Sequence, residues 1–107
     1  MRVALIGSAD FGKATLEAFL ERGDEIVAVF CPPDNPKASK PEVLKEAAIA
    51  RGLNPLQFAS LKSSEAAQAM IDSQADICVM AYVLQFVPQE HCKIPKHGTI
   101  QYHPSLL

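Results

Sequence analysis

Apolar positions along this chain fall into short unbroken runs, separated by stretches in which they recur at helical spacing. Val3, Ala4, Leu5 and Ile6 form the first run, residues 2–6, which stops at Gly7 and predicts a strand. Over residues 11–22 Leu16, Phe19 and Leu20 share one face, while Glu17, Glu21 and Arg22 fall mostly elsewhere. That spacing predicts a helix, with Asp10 as N-cap and Gly23 as its stop. Residues 25–30, rich in Ile and Val, predict a second strand. Strand, turn, helix and strand in about thirty residues make a βαβ unit, which requires parallel strands and a crossover.

Residues 31–40 hold Pro32, Pro33 and Pro36 and read as loop. Ser39 and Glu42 stand at capping-box spacing and announce a helix to about residue 51, with Leu44, Ala47 and Ala48 inward and Gly52 at its end. Residues 53–58 read as a weak strand in which Pro55 marks a first residue or a sheet edge. Ser63 or Ser64 opens a third helix, with Ala67, Met70 and Ile71 on one face. Residues 77–81 are apolar without alternation, the pattern of a strand covered on both faces. Residues 82–97 are irregular, with a helical turn near 88–92, and residues 98–103 read as a last strand. The order β-α-β-α-β-α-β-β predicts an α/β fold with an open, mostly parallel sheet and helices on both faces. Ligands of such sheets sit beyond the carboxyl ends of the strands, here residues 7–12, 82–87 and 101–107.

Length and composition narrow the picture. The 107 residues suffice for one small domain or part of one, and 49% hydrophobic with 21% charged residues describes an ordinary globular chain. Ten basic against twelve acidic residues leave a net charge of −2, which lends no electrostatic support to nucleic-acid binding by this segment. Apolar runs never reach the ~18 residues of a membrane span, and the opening run is too short for a secretory signal. Cys31, Cys78 and Cys92 form no Cys-x-x-Cys pair, so we expect free thiols and a cytoplasmic setting.

Four segments carry candidate chemistry. Gly7-Ser8-Ala9-Asp10-Phe11-Gly12 lies between a strand and a helix, but Ala9 stands where the dinucleotide fingerprint needs its second glycine, and Phe30-Cys31 where it needs an acid. We expect a tight turn there and no nicotinamide cofactor. His91, Cys92, His97 and His103 match no zinc spacing, so no metal is expected. The apolar stretch 82–87 follows a strand where the chain should turn; it either lines a pocket for a flat ring or extends core packing. Gln101 and His103 alternate with Ile100 and Tyr102, so a strand presents the amide and the imidazole on one side, directly before Pro104. An amide can donate to a developing oxyanion and an imidazole can donate or move a proton; the alternative is a structural histidine bonded to backbone.

His103-Pro104-Ser105-Leu106-Leu107 preceded by Gly98-Thr99-Ile100, Gln85-Phe86-Val87-Pro88, and the opening run with Phe11-Gly12 together resemble the formyltransferase family that uses 10-formyltetrahydrofolate. The resemblance spans the whole chain, and the terminal motifs are closest to the hydrolase domain of the family's dehydrogenase. It implies a Rossmann-like domain without bound nucleotide, with 10-formyltetrahydrofolate as formyl donor. By that resemblance Gln85, Phe86 and Val87, with Ser105, Leu106 and Leu107, bind the folate, and His103 is the catalytic histidine. Gln101 takes the place where the family's transferases carry asparagine, and its added methylene shifts the amide. The family motif continues past Leu107 and later supplies an aspartate that orients the histidine. Residues 1–107 are therefore expected to be the N-terminal portion of a catalytic domain, inactive alone. The implied partners are the folate and an amine acceptor, methionyl-tRNA being the commonest in the family. Water as acceptor is the alternative, favoured by the short loop 31–40, with its two lysines and one aspartate. A non-catalytic ligand- or partner-binding module is the third reading. Oligomeric state is left open.

Overall fold

The structure is a computed structural model, and it describes residues 1–81 and 87–102, the last of these by its backbone alone. Among the described residues nine elements follow in the order β1 (Arg2–Gly7), α1 (Ala9–Arg22), β2 (Glu25–Cys31), α2 (Val43–Ala50), β3 (Pro55–Gln57), α3 (Ser64–Ser73), β4 (Ile77–Ala81), α4 (Gln89–Cys92) and β5 (Thr99–Tyr102). The strands form one sheet in the order β3-β2-β1-β4-β5, and each neighbouring pair is parallel. The chain winds outward from β1 to β3 and then returns to β4 on the other flank of β1. The order reverses between β1 and β4, which places the crevice of a wound sheet at their carboxyl ends.

Period-two alternation splits the central strands between two cores. Val3, Leu5, Val79 and Ala81 pack with Leu16 of α1 and with Leu44 and Ala48 of α2 on one face. Ala4, Ile6, Cys78 and Met80 pack with Ala66 and Met70 of α3 and with Leu61 on the other. Full burial on both faces is what the unbroken apolar runs of β1 and β4 require. In β2 the register slips by one: Val3 pairs with Ile26 but Ala4 pairs with Ala28, leaving Val27 as a bulge. The helix stop at Gly23 is as expected, with φ 91° and its N–H donating to the Leu20 carbonyl. Pro55 opens the edge strand β3, where no ladder partner misses its absent N–H.

Three expectations are corrected. Helix α1 begins at Ala9 with Ser8 as N-cap, so Asp10 lies inside the first turn. Helix α2 begins at Val43 with Glu42 as N-cap; Ser39 lies outside it, because Pro41 disfavours helical backbone at Lys40. The buried stripe of α3 runs through Ala66 and Met70, and Ile71 is 51% exposed. Helical spacing permits either stripe, and docking beneath Phe30 and Cys78 selects this one. The last two strands pair in parallel, and the helical turn expected near 88–92 is present as α4 in their connection. Among the described residues no helix is long and apolar enough to cross a membrane.

Candidate functional site

At Gly7 the end of β1 meets three other elements. A methyl group on Gly7 would stand 2.9 Å from the Ala81 carbonyl oxygen of β4, 3.3 Å from Leu44 Cδ2 of α2 and 3.4 Å from Gly12 Cα of α1. Gly12 is as tight, 3.1 Å from Leu44 Cδ2 and 3.3 Å from the Gly7 carbonyl carbon. These two glycines bring a strand, its neighbour and two helices together directly beneath the crevice.

The next turn is strained. Ala9 has φ 60°, the left-handed region that a side chain disfavours. The strain, on the order of 1–2 kcal/mol, is offset by a carboxylate from far along the chain. The Ala9 N–H points at both oxygens of Glu42, at 3.0 and 3.1 Å, and the Leu44 N–H donates to Glu42 Oε2 at 2.6 Å. One side chain thus caps α2 and satisfies the opening N–H of α1, each next to a positive helix end. Sequence inspection missed this role because the partners are 33 residues apart. The available signal was an acid directly before an apolar helical run.

Beside this turn lies the proline loop. Asp34 accepts from Lys45 Nζ at 2.8 Å and from Gln57 Nε2 at 3.1 Å, and Gln57 Nε2 also donates to the Pro32 carbonyl at 3.0 Å. The Lys45 and Gln57 hydrogen bonds hold the Asp34 carboxyl below its ordinary range. Lys37 and Lys40 are exposed, whereas Lys45 is engaged. The loop encloses an open depression of about 550 Å³ reaching from Pro32 to Glu42.

On the other flank, β5 sets Gln101 beside Met80 near the carboxyl end of the sheet, and Gln101 is exposed there. Val87 is half-buried and packs against the core of the α3 face, beside a cavity of about 20 Å³ that it shares with Phe30, Cys92 and Thr99. Gln85, Phe86, His103, Ser105, Leu106 and Leu107 lie outside the described residues. The remaining histidines sit apart. His91 Nδ1 is 3.0 Å from the Leu61 carbonyl, whereas His97 is exposed near the amino end of β4 and its N–H donates to the Asp76 carbonyl. No group of three His, Cys, Asp or Glu side chains converges among the described residues.

Comparison with known proteins adds three findings. The family model described as formyl transferase matches residues 1–107. Methionyl-tRNA formyltransferase of Thiobacillus denitrificans is 37% identical, with 100% of this chain aligned to 36% of its length; that of Bacillus subtilis is 34% identical, with 99% aligned to 35%. Our chain thus spans about a third of the length of these curated relatives. Among solved structures, phosphoribosylglycinamide formyltransferase from Anaplasma phagocytophilum superposes with a TM-score of 0.72 at 20% identity, over 100% of this chain and 51% of the other. Glycinamide ribonucleotide transformylase 1 from Symbiobacterium toebii gives 0.72 at 18% identity, over 100% and 53%. At such identities the structures establish the shared fold.

Proposed function

The chain belongs to the formyl transferase family, and from that premise we propose that the protein carrying it moves a formyl group from 10-formyltetrahydrofolate to an amine, with methionyl-tRNA as acceptor. The observation that carries this reading is the family match over all 107 residues. The names of the curated relatives support the acceptor. In this reading residues 1–107 are the N-terminal portion of the catalytic domain.

The folate lies at the carboxyl rim, against residues 85–87 and 105–107, with the half-buried Val87 anchoring the first segment to the core. In this reading His103, the residue after β5 in sequence, acts on the formyl group. The acceptor amine attacks the formyl carbon, the carbonyl π pair moves onto oxygen, and His103 donates a hydrogen bond to that oxyanion. Collapse of the intermediate breaks the bond to the folate nitrogen, which leaves with a proton passed through the imidazole while the amine loses one. In this reading Gln101 of β5 adds its amide to the oxyanion. Its longer side chain makes this contribution smaller than that of a residue one methylene shorter.

A second reading takes water as acceptor. It is favoured by one observation: Lys45 is bonded to Asp34, so the loop beside the crevice presents Lys37 and Lys40 as a thin handle for a phosphate backbone. His103→Ala in the full-length protein is expected to lower kcat by about a hundred- to ten-thousandfold with the fold retained. Undiminished turnover by the folded variant would remove His103 from the mechanism. Formate as product in the presence of methionyl-tRNA would favour the second reading.

A further inference from the structure

In wound α/β folds the turn from the first strand into the first helix is the usual seat of a phosphate, held by N–H groups at the positive helix end. Here that seat holds a carboxylate of the chain itself. Both Glu42 oxygens lie within 3.1 Å of the Ala9 nitrogen, and Oε2 is fixed a second time by the Leu44 N–H. Asp10, exposed in the first turn of α1, adds another negative charge. Ala9 takes the left-handed conformation that a glycine would take in a phosphate-binding turn, and the N–H so presented serves Glu42.

We propose that Glu42 is a built-in anion that closes the phosphate seat of the β1–α1 turn, and that it is thereby a specificity-determining residue against ligands presenting a phosphate there. A phosphate entering would have to displace one carboxylate from two N–H groups, with a second acid, Asp10, in the same helical turn. Like charges in such a site repel, and the displaced carboxylate would lose its hydrogen bonds. For the activity proposed above, on which this consequence rests, the acceptor is recognised through groups other than a phosphate seated on α1. Phosphates of a large acceptor are met elsewhere, with Lys13, Lys37 and Lys40 among the exposed cations.

The test is a titration of the ¹⁵N-labelled full-length protein with inorganic phosphate, following the Ala9 amide. The wild-type amide should not move saturably. In Glu42→Ser, which keeps an N-cap oxygen for α2 but removes the charge, the Ala9 amide should shift saturably, with affinity raised about tenfold or more. Glu42→Gln, neutral and nearly isosteric, should change in the same direction and guards against a misfolded serine variant. Saturable phosphate binding at Ala9 in the wild type would overturn the proposal. So would the absence of any gain in folded variants. No folate enters the measurement, so its failure is separable from failure of the formyl-transfer reading.

Discussion

Glu42 shows how much one side chain can settle when it joins two backbone ends. Its carboxylate offsets the strain at Ala9, caps α2 and fixes where the proline loop ends. None of this could be read locally, because the contact links positions 33 apart. The weakness of the nucleotide fingerprint was legible, since Ala9 is visible as the missing glycine; what fills the turn instead was not. The thiols illustrate a simpler effect of burial. Cys31 and Cys78 are buried, and desolvation pushes both up to about 12, with Glu42 adding to the rise at Cys31. Cys92 is half-exposed. At pH ~8.5, where an ordinary thiol is half ionised, Cys31 and Cys78 remain protonated. Alkylation of the native protein followed by mass spectrometry should therefore label Cys92 first, with Cys31 and Cys78 reacting only after unfolding. Early labelling of Cys78 would contradict the burial described.

Elements were legible to the degree that their signals were local. The run in β1 announced a strand, that in β4 a strand buried on both faces, and Gly23 announced the end of α1. Starts were harder to read, because α1 is served by a remote carboxylate and α2 is delayed by Pro41. The stripe of α3 was ambiguous by one helical step until Met70 and Ala66 docked against Phe30. The helical turn expected near 88–92 is α4, four residues long, in the connection between the parallel strands β4 and β5. At Gly7 a methyl group would meet the Ala81 carbonyl at 2.9 Å. Backbone on both sides leaves nothing flexible to yield, so Gly7→Ala should destabilise the protein by about 1–3 kcal/mol. A urea midpoint unchanged from wild type would show that β1 and β4 can separate at the crevice without cost.

For the molecule as a whole, the strand order β3-β2-β1-β4-β5 explains why the sequence motifs matter together. Residues 7–9, the lead-in to residues 82–87 and the end of β5 are distant in sequence, yet parallel winding sends all three to one rim. The class of fold was legible from periodicity, and the turn at residues 7–9 from the rule for wound sheets. The family was legible only through the resemblance of residues 85–88 and 98–107, because composition and spacing leave several reactions open. The family match confirms that resemblance over the full 107 residues, and the account of His103 and of the folate segments proceeds from it. The most direct test is the absorbance signal of tetrahydrofolate formed when the full-length protein is mixed with 10-formyltetrahydrofolate and methionyl-tRNA. The account predicts turnover with one formylmethionyl-tRNA for each tetrahydrofolate released. No tetrahydrofolate, with either methionyl-tRNA or water as acceptor, would contradict it.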